Sequence, residues 1–448
     1  MEYIPNTAGD QKEMLRTIGV SSLEDLLSHI SVGVRFKREL NLPKPLSELE
    51  LLAEMHALGG MNANTSEYAS FLGAGAYDHF IPSVVPHVLS RSEFYTAYTP
   101  YQAEMSQGSL QTIYEYQTLI CELTGMEVAN ASMYDGASAM AEAALMTTRI
   151  TKREEIVVAS TVNPRYREAL NTYLFGLKYP VHTVGSGHGV TDLHRLSKAL
   201  SDKTAGVIIQ YPNFFGCIED VKGIIEAAHK IGAVAVVVAD PIALGLLKSP
   251  GDLGADLVVG EGQALGIPLN FGGPYLGFFA AKMEHVRKMP GRVVGATVDT
   301  EGKRGYCLTF QTREQHIKRE RATSNICTNE ALVALAATVY MAAMGRQGLR
   351  DVAGLCLQKA AYARQKISGI EGYSLPFTAP SFKEFVVKTP VSPKVIQERL
   401  LSEKILSGLD LVTYYPELQD HILFCVTEKR TREEIDRLVK ILGEVRNV

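Results

Sequence analysis

Apolar runs and amphipathic stretches alternate along the chain between residues 153 and 282. Short apolar runs are typical of strands, and apolar positions spaced three and four apart are typical of helices. The most apolar run, Ala233–Ala239, is rich in Val and predicts a parallel strand buried on both faces. Repeated strand–helix units predict a parallel sheet with right-handed crossovers. The other predicted strands are Glu155–Ala159, Val181–Val184, Gly206–Gln210, Leu257–Val259 and Leu276–Ala280, and the predicted helices are Arg165–Leu177, Asp192–Leu200 and Val221–Ile231.

The pattern on the N-terminal side is mostly helical. Ser21 and Ser22 predict a helix cap before an amphipathic turn, and residues 48–58 predict a second helix. These segments either wrap a neighbouring subunit or pack on their own chain, and the sequence favours neither. Residues 62–108 are predicted to form a loop rich in aromatic side chains. Two longer helices follow in the prediction, Ser109–Leu123, which ends at Gly125, and Ser138–Thr148.

The pattern changes after residue 330. A long helix is followed by alternating strands and helices, which predicts a small α/β domain. The expected organisation is an N-terminal helical arm (residues 1–60), a large α/β domain (61–330) and a small C-terminal α/β domain (331–448). The predicted strands of the small domain are Tyr373–Leu375, Glu384–Val387 and Ile422–Val426, and its later helices are Val395–Ser402 and Thr431–Val445.

Two uncharged runs bear on whether the chain enters a membrane. Gly262–Ala281 has 20 residues without a charge, but it contains five Gly and two Pro, which would leave backbone groups unsatisfied in lipid. The second run, Ala331–Gly345, is only 15 residues long and predicts a core helix. The N-terminal residues lack an apolar signal core. We therefore expect a soluble, cytoplasmic chain without a membrane partner.

Composition narrows the function further. The 448 residues carry a net charge of −4, so no electrostatic argument supports a nucleic-acid partner. The six cysteines include no Cys-x-x-Cys pair and fit a reducing compartment. Neither the cysteines nor His79, His87 and His316 show the spacing of metal ligands, and we expect no metal.

Two short segments at predicted element ends could bind a ligand. Asp240 closes the most apolar strand, and ligands of open α/β sheets bind beyond the carboxyl ends of strands. Alternatively, Asp240 simply ends a strand before Pro241. Gly136, Ala137 and Ser138 begin a helix, where free N–H groups suit an anion such as phosphate. The same residues also make an ordinary helix cap.

The segment Gly260–Gly266 resembles a dinucleotide-binding fingerprint. That function requires a helix to begin at the loop, so that its N-terminus meets the pyrophosphate. Pro268 and the Gly272-Gly273-Pro274 sequence prevent such a helix. A nicotinamide site is therefore not expected here.

Tyrosines and charges mark two further segments. Tyr95, Tyr98 and Tyr101 lie beside Glu104 in an irregular segment, where tyrosines can bind a carboxylate or stack on a flat ring. A tyrosine-rich packing loop is the alternative, and composition alone favours it. Residues 313–321 contain several Arg and Lys that could hold a phosphate, although helical pairing with the neighbouring acids is the more usual outcome.

Together these motifs resemble one family. The segments FYTAYTPYQAEMSQGSLQ, NASMYDGASAMAEAA, QYPNFFG, LNFGGPYLGFFA and REQHIKRERATSNICTN are similar to the first (α) subunits of glycine decarboxylase, the P-protein of the glycine cleavage system. The resemblance runs nearly end to end. It implies the aspartate aminotransferase-like fold of pyridoxal-phosphate enzymes (fold type I), with a large parallel-sheet domain and a small C-terminal domain.

The resemblance also implies where a Schiff-base lysine should lie. Aligned on Ile267-Pro268, Gln263 takes the place of that lysine, and an amide nitrogen cannot form an imine. Lys248 and Lys282 lie before and after the relevant strands, so neither serves instead. The family pattern therefore implies a pseudo-active site that includes Gly136, Ala137, Ser138, Asp240 and Gln263, without covalent pyridoxal phosphate.

The implied activity belongs to a heteromeric enzyme. Pyridoxal phosphate is expected on a paralogous β subunit in an α2β2 assembly. Glycine is expected to be decarboxylated there, with release of CO2 and transfer of the aminomethyl group to the lipoyl arm of the H-protein. Tyr95, Tyr98, Tyr101 and Glu104 are expected to complete the partner's glycine site. Two alternatives stay open: a scaffold subunit without a catalytic role, and a self-contained pyridoxal-phosphate decarboxylase with an unusual lysine.

Overall fold

The computed structural model describes residues 5–36 and 38–445, and residues 1–4, 37 and 446–448 lie outside the description. The chain divides into two units, residues 1–63 and 64–448. In the first unit, each of three helices begins with a capping box, in which Thr7, Ser22 or Ser47 and an acidic residue three positions later satisfy each other's free backbone groups. No described residue of this unit is buried. The helices are α1 (Ala8–Ile18), α2 (Leu23–Leu26) and α3 (Glu48–Gly59).

The second unit contains the sheets. The strands are β1 (Ala69–Ser70), β2 (Val128–Ala129), β3 (Glu155–Ala159), β4 (Val181–Val184), β5 (Ser186–Gly187), β6 (Val190–Thr191), β7 (Thr204–Tyr211), β8 (Val234–Ala239), β9 (Leu257–Glu261), β10 (Gly277–Ala281), β11 (Val293–Val298), β12 (Arg304–Thr309), β13 (Glu384–Lys388), β14 (Ile405–Leu406), β15 (Leu409–Asp410) and β16 (His421–Cys425). The main sheet has seven strands in the order β2-β10-β9-β8-β7-β3-β4, and a three-stranded sheet has the order β13-β16-β15.

Helices cover the main sheet and the three-stranded sheet. The longest, α12, is bent at Gly345, whose φ of 60° and ψ of −178° interrupt the helical conformation. The helices are α4 (Val84–Leu89), α5 (Ser92–Tyr95), α6 (Gln107–Thr124), α7 (Gly136–Thr151), α8 (Pro164–Phe175), α9 (Leu193–Ala199), α10 (Val221–Lys230), α11 (Gln315–Lys318), α12 (Ala331–Ser368), α13 (Pro393–Ser402) and α14 (Arg432–Glu444).

The main sheet is parallel except at β10. The pairs β3–β4, β3–β7, β7–β8 and β8–β9 are parallel, as the alternating pattern predicts, whereas β10 runs antiparallel to both β9 and β2. A parallel connection needs a crossover, usually a helix. Residues 262–276, which join β9 to β10, form no α-helix, and Pro268 and Pro274 disfavour one. Strand β10 therefore runs antiparallel to β9.

Length and composition alone would allow α12 to cross a membrane, and among the described residues it is the one helix of which this is true. Its first half, however, lies in the main hydrophobic core, where Ala334, Ala337, Tyr340 and Met341 are buried. We interpret α12 as the core helix that the sequence predicts at this position.

A second core forms around the three-stranded sheet. Phe385, Val387 and Phe424 from β13 and β16 pack with Ile396 of α13 and with apolar residues of α14. Strand β1 pairs in parallel with β14 and brings the buried Phe71 into this core. Residues 69–71 therefore form a two-stranded sheet with β14 and pack in a core whose other residues lie far along the sequence.

Several local predictions differ from the structure. Residues 62–108 contain α4 and α5 in addition to loop, and 293–309 form a β-hairpin that the pattern did not indicate. Residues 313–321 form only short turns of helix, because Arg319 adopts a positive φ of 52°. At 373–375 a single bridge, Ser374 to Lys388, replaces the expected strand. The remaining predicted elements agree with the structure to within a few residues.

Candidate functional site

The carboxyl end of β8 carries Asp240, next to the middle of the sheet. Its Oδ1 accepts hydrogen bonds from the backbone N–H groups of Ile242 at 2.9 Å and Ala243 at 3.3 Å, so the carboxylate also caps the turn after the strand. Its Oδ2 lies 2.7 Å from the ammonium nitrogen of Lys383. Asp240 is therefore both a strand-end residue and one partner of an ion pair.

Lys383 precedes β13 and is almost completely buried, with 1% of its surface exposed. Its Nζ lies 3.5 Å from the centroid of the Tyr77 ring and 3.2 Å from Nε2 of His79. Burial acts to lower the pKa of Lys383, but the attraction of Asp240 outweighs it and the pKa is raised. The lysine is thus a buried cation with an anionic, an aromatic and an imidazole neighbour.

His79 links this ion pair to a second carboxylate. Its Nδ1 lies 2.6 Å from Oε2 of Glu428, and the backbone N–H of Phe80 donates to the same carboxylate at 2.6 Å. Burial and the neighbouring Lys383 lower the pKa of His79. A neutral ring that donates from Nδ1 and accepts from Lys383 at Nε2 satisfies both contacts.

The thiol of Cys356 joins His79 and Glu428 in a group whose polar atoms lie within 4.8 Å of one another. A divalent cation would have to displace the Nδ1 proton that bonds to Glu428, and it would lie close to the Lys383 ammonium. The hydrogen bonds account for the grouping, and we assign no metal to it.

Gln263 lies two residues beyond β9 and is 1% exposed. Its amide nitrogen donates to the carbonyl oxygens of Tyr77 at 3.0 Å and Ile267 at 2.7 Å. Its amide oxygen accepts from the backbone N–H of Tyr77 at 2.8 Å. The side chain thus holds the irregular segment that carries Tyr77 and His79 against the end of the main sheet.

The start of α7 is occupied by a carboxyl group of the same chain. Oε2 of Glu261 accepts from the Gly136 N–H at 2.9 Å, and its Oε1 accepts from the N–H groups of Gln263 at 3.0 Å and Leu276 at 2.9 Å. The Ser138 N–H donates to the capping residue Asp135 at 2.7 Å. Burial raises the pKa of Glu261 to about 8, although its backbone hydrogen bonds act in the opposite direction.

Close packing surrounds this helix start. A Cβ atom on Gly136 would lie 2.4 Å from the Tyr166 hydroxyl and 2.9 Å from the Glu261 nitrogen. Only glycine fits between these groups. Gly136, Ala137, Ser138, Asp240 and Gln263 thus lie at one end of the sheet. Polar groups of the same chain contact Gly136, Ser138, Asp240 and Gln263.

The tyrosine segment lies elsewhere. Tyr95, Tyr98 and Tyr101 are 69%, 83% and 53% exposed, and Glu104 is exposed as well. Tyr95 ends α5, and the other three precede α6. Within residues 64–445, all of which are described, no hydrogen bond or ion pair joins these side chains to Asp240 or Gln263.

Tyr101 is the most firmly held of the four. The buried Arg292 donates from Nη2 to the Tyr101 hydroxyl at 3.0 Å, and its guanidinium carbon lies 5.4 Å from the ring centroid. The Arg292 Nε also lies 3.8 Å from Glu314. Tyr101, Glu314, His316 and Cys327 line a cavity of about 500 Å³ that opens beside the tyrosine segment.

Sequence analysis missed Lys383, His79, Tyr77 and Glu261 as members of the strand-end cluster. A lysine directly before an apolar strand carries a weak signal, because such residues usually point to solvent. Glu261 lies in the segment Gly260–Gly266, whose glycines resemble a dinucleotide-binding fingerprint and draw attention away from the carboxylate. The signal that could have found it is an acidic residue within an otherwise uncharged run after a buried strand.

The fold and the strand-end cluster define a class. A mostly parallel seven-stranded sheet with a smaller antiparallel sheet, and with polar residues gathered at the strand ends, is the architecture of fold type I pyridoxal-phosphate enzymes. A glutamate decarboxylase from Lactobacillus brevis superposes with a TM-score of 0.70 over 92% of this chain and 96% of that chain, at 11% identity. A NifS-like protein superposes with a TM-score of 0.63 over 84% and 98%, at 14% identity. At these identities the likeness shows the fold alone.

More similar proteins give the family. The family model of the glycine cleavage system P-protein matches residues 1–442. A probable glycine dehydrogenase (decarboxylating) subunit 1 of Desulforamulus reducens is 57% identical, covering 99% of this chain and 100% of the relative. The crystal structure of a glycine decarboxylase (P-protein) in inhibitor-bound form superposes with a TM-score of 0.91, at 42% identity, over 99% of this chain and 100% of that chain. The chain belongs to the glycine cleavage system P-protein family.

The Lys383–Asp240 pair generates a stability prediction. Lys383→Met leaves Asp240 buried without its counter-ion, and removing one partner of a buried pair costs about 3–5 kcal/mol. The double variant Lys383→Met/Asp240→Asn should recover part of that loss, because no unpaired charge remains. The free energy of unfolding by urea measures both.

Lys303→Met is the matched control, since Lys303 pairs with Glu301 at the surface and is 75% exposed. We expect its free energy of unfolding to differ little from that of the wild type. If Lys383→Met is no more destabilising than this control, the pair does not hold the strand ends.

Glu261 generates a pH prediction. A pKa of about 8 in the folded chain, above the unfolded value, means that this carboxyl favours folding below the unfolded pKa and that the contribution is lost as pH rises toward 8. The free energy of unfolding should therefore fall by about 1.4 kcal/mol per pH unit from this group between roughly pH 5 and 8.

Glu261→Gln should flatten this dependence, whatever its effect on stability at one pH. Glu384, whose pKa burial raises to about 7, is present in both proteins, so the difference between their slopes reports Glu261. Identical slopes would show that Glu261 titrates normally.

Proposed function

We propose that the chain is the first subunit of a heteromeric glycine decarboxylase, does not itself hold pyridoxal phosphate, and completes an active site on its partner. The observation that carries the proposal is the buried ion pair between Lys383 and Asp240. In this fold an acidic residue at that strand end pairs with the cofactor's ring nitrogen. Here the ammonium group of Lys383, in the same chain, pairs with the carboxylate of Asp240.

Two more features argue against the cofactor on this chain. Gln263 replaces the Schiff-base lysine, and both ends of its amide are bound to the backbone. The helix-start N–H of Gly136, which would face a phosphate, is bound by Glu261. The residues at the strand ends therefore do not fit pyridoxal phosphate, and we assign no chemical step to this pocket.

The names of the relatives supply the rest of the proposal. Proteins called subunit 1 of glycine dehydrogenase (decarboxylating) imply a second subunit, and we place pyridoxal phosphate there. Decarboxylation of glycine, with transfer of the aminomethyl group to a lipoyl-bearing H-protein, then requires both chains. An α2β2 assembly in the cytoplasm is the simplest arrangement that we propose.

The tyrosine segment supports a role at the subunit boundary. Tyr98 and Met105 are 83% and 80% exposed, and exposed aromatic and Met side chains near one another are typical of interfaces. Arg292 holds Tyr101 at the rim of the neighbouring cavity, so part of the surface is preorganised. We propose that Tyr95, Tyr98, Tyr101 and Glu104 contact the glycine site of the partner.

The N-terminal unit offers a second surface for a partner. Val34, Leu49 and Met61 are 76%, 80% and 82% exposed, and no described residue of residues 5–63 is buried. Apolar surface of this extent favours burial against another chain. We propose that this arm packs on the partner subunit.

The first test is chemical labelling of the isolated chain. Borohydride reduction in the presence of pyridoxal phosphate, followed by peptide mass mapping, should give no pyridoxyl-lysine. Gln263→Lys should also acquire little cofactor, because Lys383 and Glu261 still occupy the positions of the ring nitrogen and the phosphate. The partner subunit serves as the positive control. Stoichiometric labelling of a lysine in the native chain would support the self-contained decarboxylase instead.

The second test separates a site-completing role from a scaffold. Tyr98→Phe and Glu104→Gln remove one hydrogen-bonding group each, and loss of a bond to a charged group costs about 1.5–3 kcal/mol, or roughly ten- to a hundredfold in rate if it acts in the transition state. Glycine-dependent CO2 exchange should fall while size-exclusion chromatography still shows the complex. Tyr173→Phe, on the exposed side of α8, is the matched control. Unchanged exchange in both variants would leave the scaffold role.

A further inference from the structure

A basic cleft lies beside the hairpin β11–β12, away from the residues used above. It has a volume of about 280 Å³, and six of its lining residues carry a cationic group or a hydroxyl: Arg287, Thr312, Arg313, Lys318, Arg321 and Thr323. The seventh, Phe310, lies under the Arg287 guanidinium at 5.6 Å from the ring centroid. No carboxylate is among these lining residues, all of which are described.

Arg313 gives the cleft its most specific feature. The residue is 8% exposed, and its Nη1 donates to the carbonyl oxygen of Met289. Its Nε and Nη2 are buried without a hydrogen-bond partner within the described part of the chain. Burial lowers the pKa of Arg313 to about 10, so the side chain keeps its charge at neutral pH. Two unpartnered N–H groups on a buried cation are costly unless an acceptor reaches them.

The neighbouring acids do not supply that acceptor. Glu314, next to Arg313 in the chain, lines the cavity beside the tyrosine segment instead. Its carboxylate lies 3.8 Å from Nε of Arg292 and 3.6 Å from Nδ1 of His316. Glu320 lies 3.7 Å from Arg321, but both side chains are about four-fifths exposed, and such pairs contribute little. Glu314 attracts the Arg313 charge and so acts against the effect of burial on its pKa, but it accepts no hydrogen bond from Nε or Nη2 of Arg313.

We propose that this cleft binds a tetrahedral oxyanion with two negative charges, either free phosphate or the phosphate of a small monoester. A guanidinium presents paired N–H groups that match the spacing of phosphate oxygens. Lys318 and Arg321 add charge at the mouth, and the hydroxyls of Thr312 and Thr323 add donors. The volume admits a phosphate group with a short organic substituent.

The cleft differs from the strand-end pocket in two respects. Different residues form it, and Nε and Nη2 of Arg313, unlike the polar groups of Asp240 and Gln263, have no hydrogen-bond partner in the described part of the chain. None of the residues that contact Asp240, Gln263 or Glu261 lines the cleft. The proposal does not depend on the subunit's catalytic role, because ligand binding at the cleft is measured without enzyme turnover.

The test is isothermal titration of the full chain, assembled with its partner subunit, with inorganic phosphate and separately with glycerol phosphate. Saturable binding to the wild-type complex is expected, and it should weaken as NaCl rises, because the contacts are charged. Tighter binding of glycerol phosphate indicates a monoester ligand, and equal binding indicates free phosphate.

Variants in this chain locate the site. Arg321→Gln and Lys318→Gln change exposed side chains that should not affect folding, and each should weaken phosphate binding by about tenfold. Arg313→Gln should weaken it more, provided that circular dichroism shows a folded chain. Arg304→Gln is the matched control, since it removes the same charge at the far end of the β11–β12 hairpin, opposite Val298.

Two outcomes would overturn the proposal. One is the absence of saturable binding to the wild-type complex at low salt. The other is equal weakening by Arg304→Gln and Arg321→Gln, which would indicate nonspecific attraction to a basic surface.

Discussion

The ion pair between Asp240 and Lys383 is the constraint on which the strand ends depend. Neither charge can be buried alone, since an unpaired ion in a protein interior costs several kcal/mol. Asp240 belongs to the most apolar strand of the main sheet, and Lys383 leads into β13 of the smaller sheet. The pair therefore fixes the end of one sheet to the start of the other. Tyr77 and His79 complete the enclosure of the ammonium, and Gln263 fixes the backbone that carries them.

On the proposed function, the same pocket is a cofactor site whose polar groups are satisfied by the chain itself. A pocket for pyridoxal phosphate contains a carboxylate for the ring nitrogen and helix N–H groups for the phosphate. Those groups would be left unsatisfied if the cofactor were absent and nothing replaced it. In this chain Lys383 supplies a cation to Asp240, and Glu261 supplies carboxyl oxygens to the N–H of Gly136. On the proposed function, this internal compensation is what allows the fold to persist without the cofactor.

Much of the fold could be predicted from the sequence, because periodicity reports which faces of local segments are buried. Strands β3, β4, β7 and β8 lie where the apolar runs indicate, and Gly125 marks the end of α6 as expected. The neighbours of Lys383 could not be predicted, since Lys383 and His79 are separated by 304 positions in sequence. Local patterns do not encode such pairings. The direction of β10 was missed for a related reason, as an uncharged Gly- and Pro-rich run indicates a loop but not its path.

The contrast between the filled pocket and the exposed tyrosine segment bears on where chemistry can occur. At the strand ends, Gly136, Ser138, Asp240 and Gln263 already have polar partners in the chain, and a ligand that used these groups would have to break those bonds. At the tyrosine segment, by contrast, Tyr98 and Glu104 are exposed, and only Tyr101 is held in place by Arg292. An exposed hydroxyl or carboxylate that is not already bonded within its own chain can interact with a charge brought by another chain. On the proposed function, this distribution favours a subunit whose contribution to catalysis lies on its surface, and the hydrogen bonds of Gln263 to the backbone are compatible with retention of the whole fold.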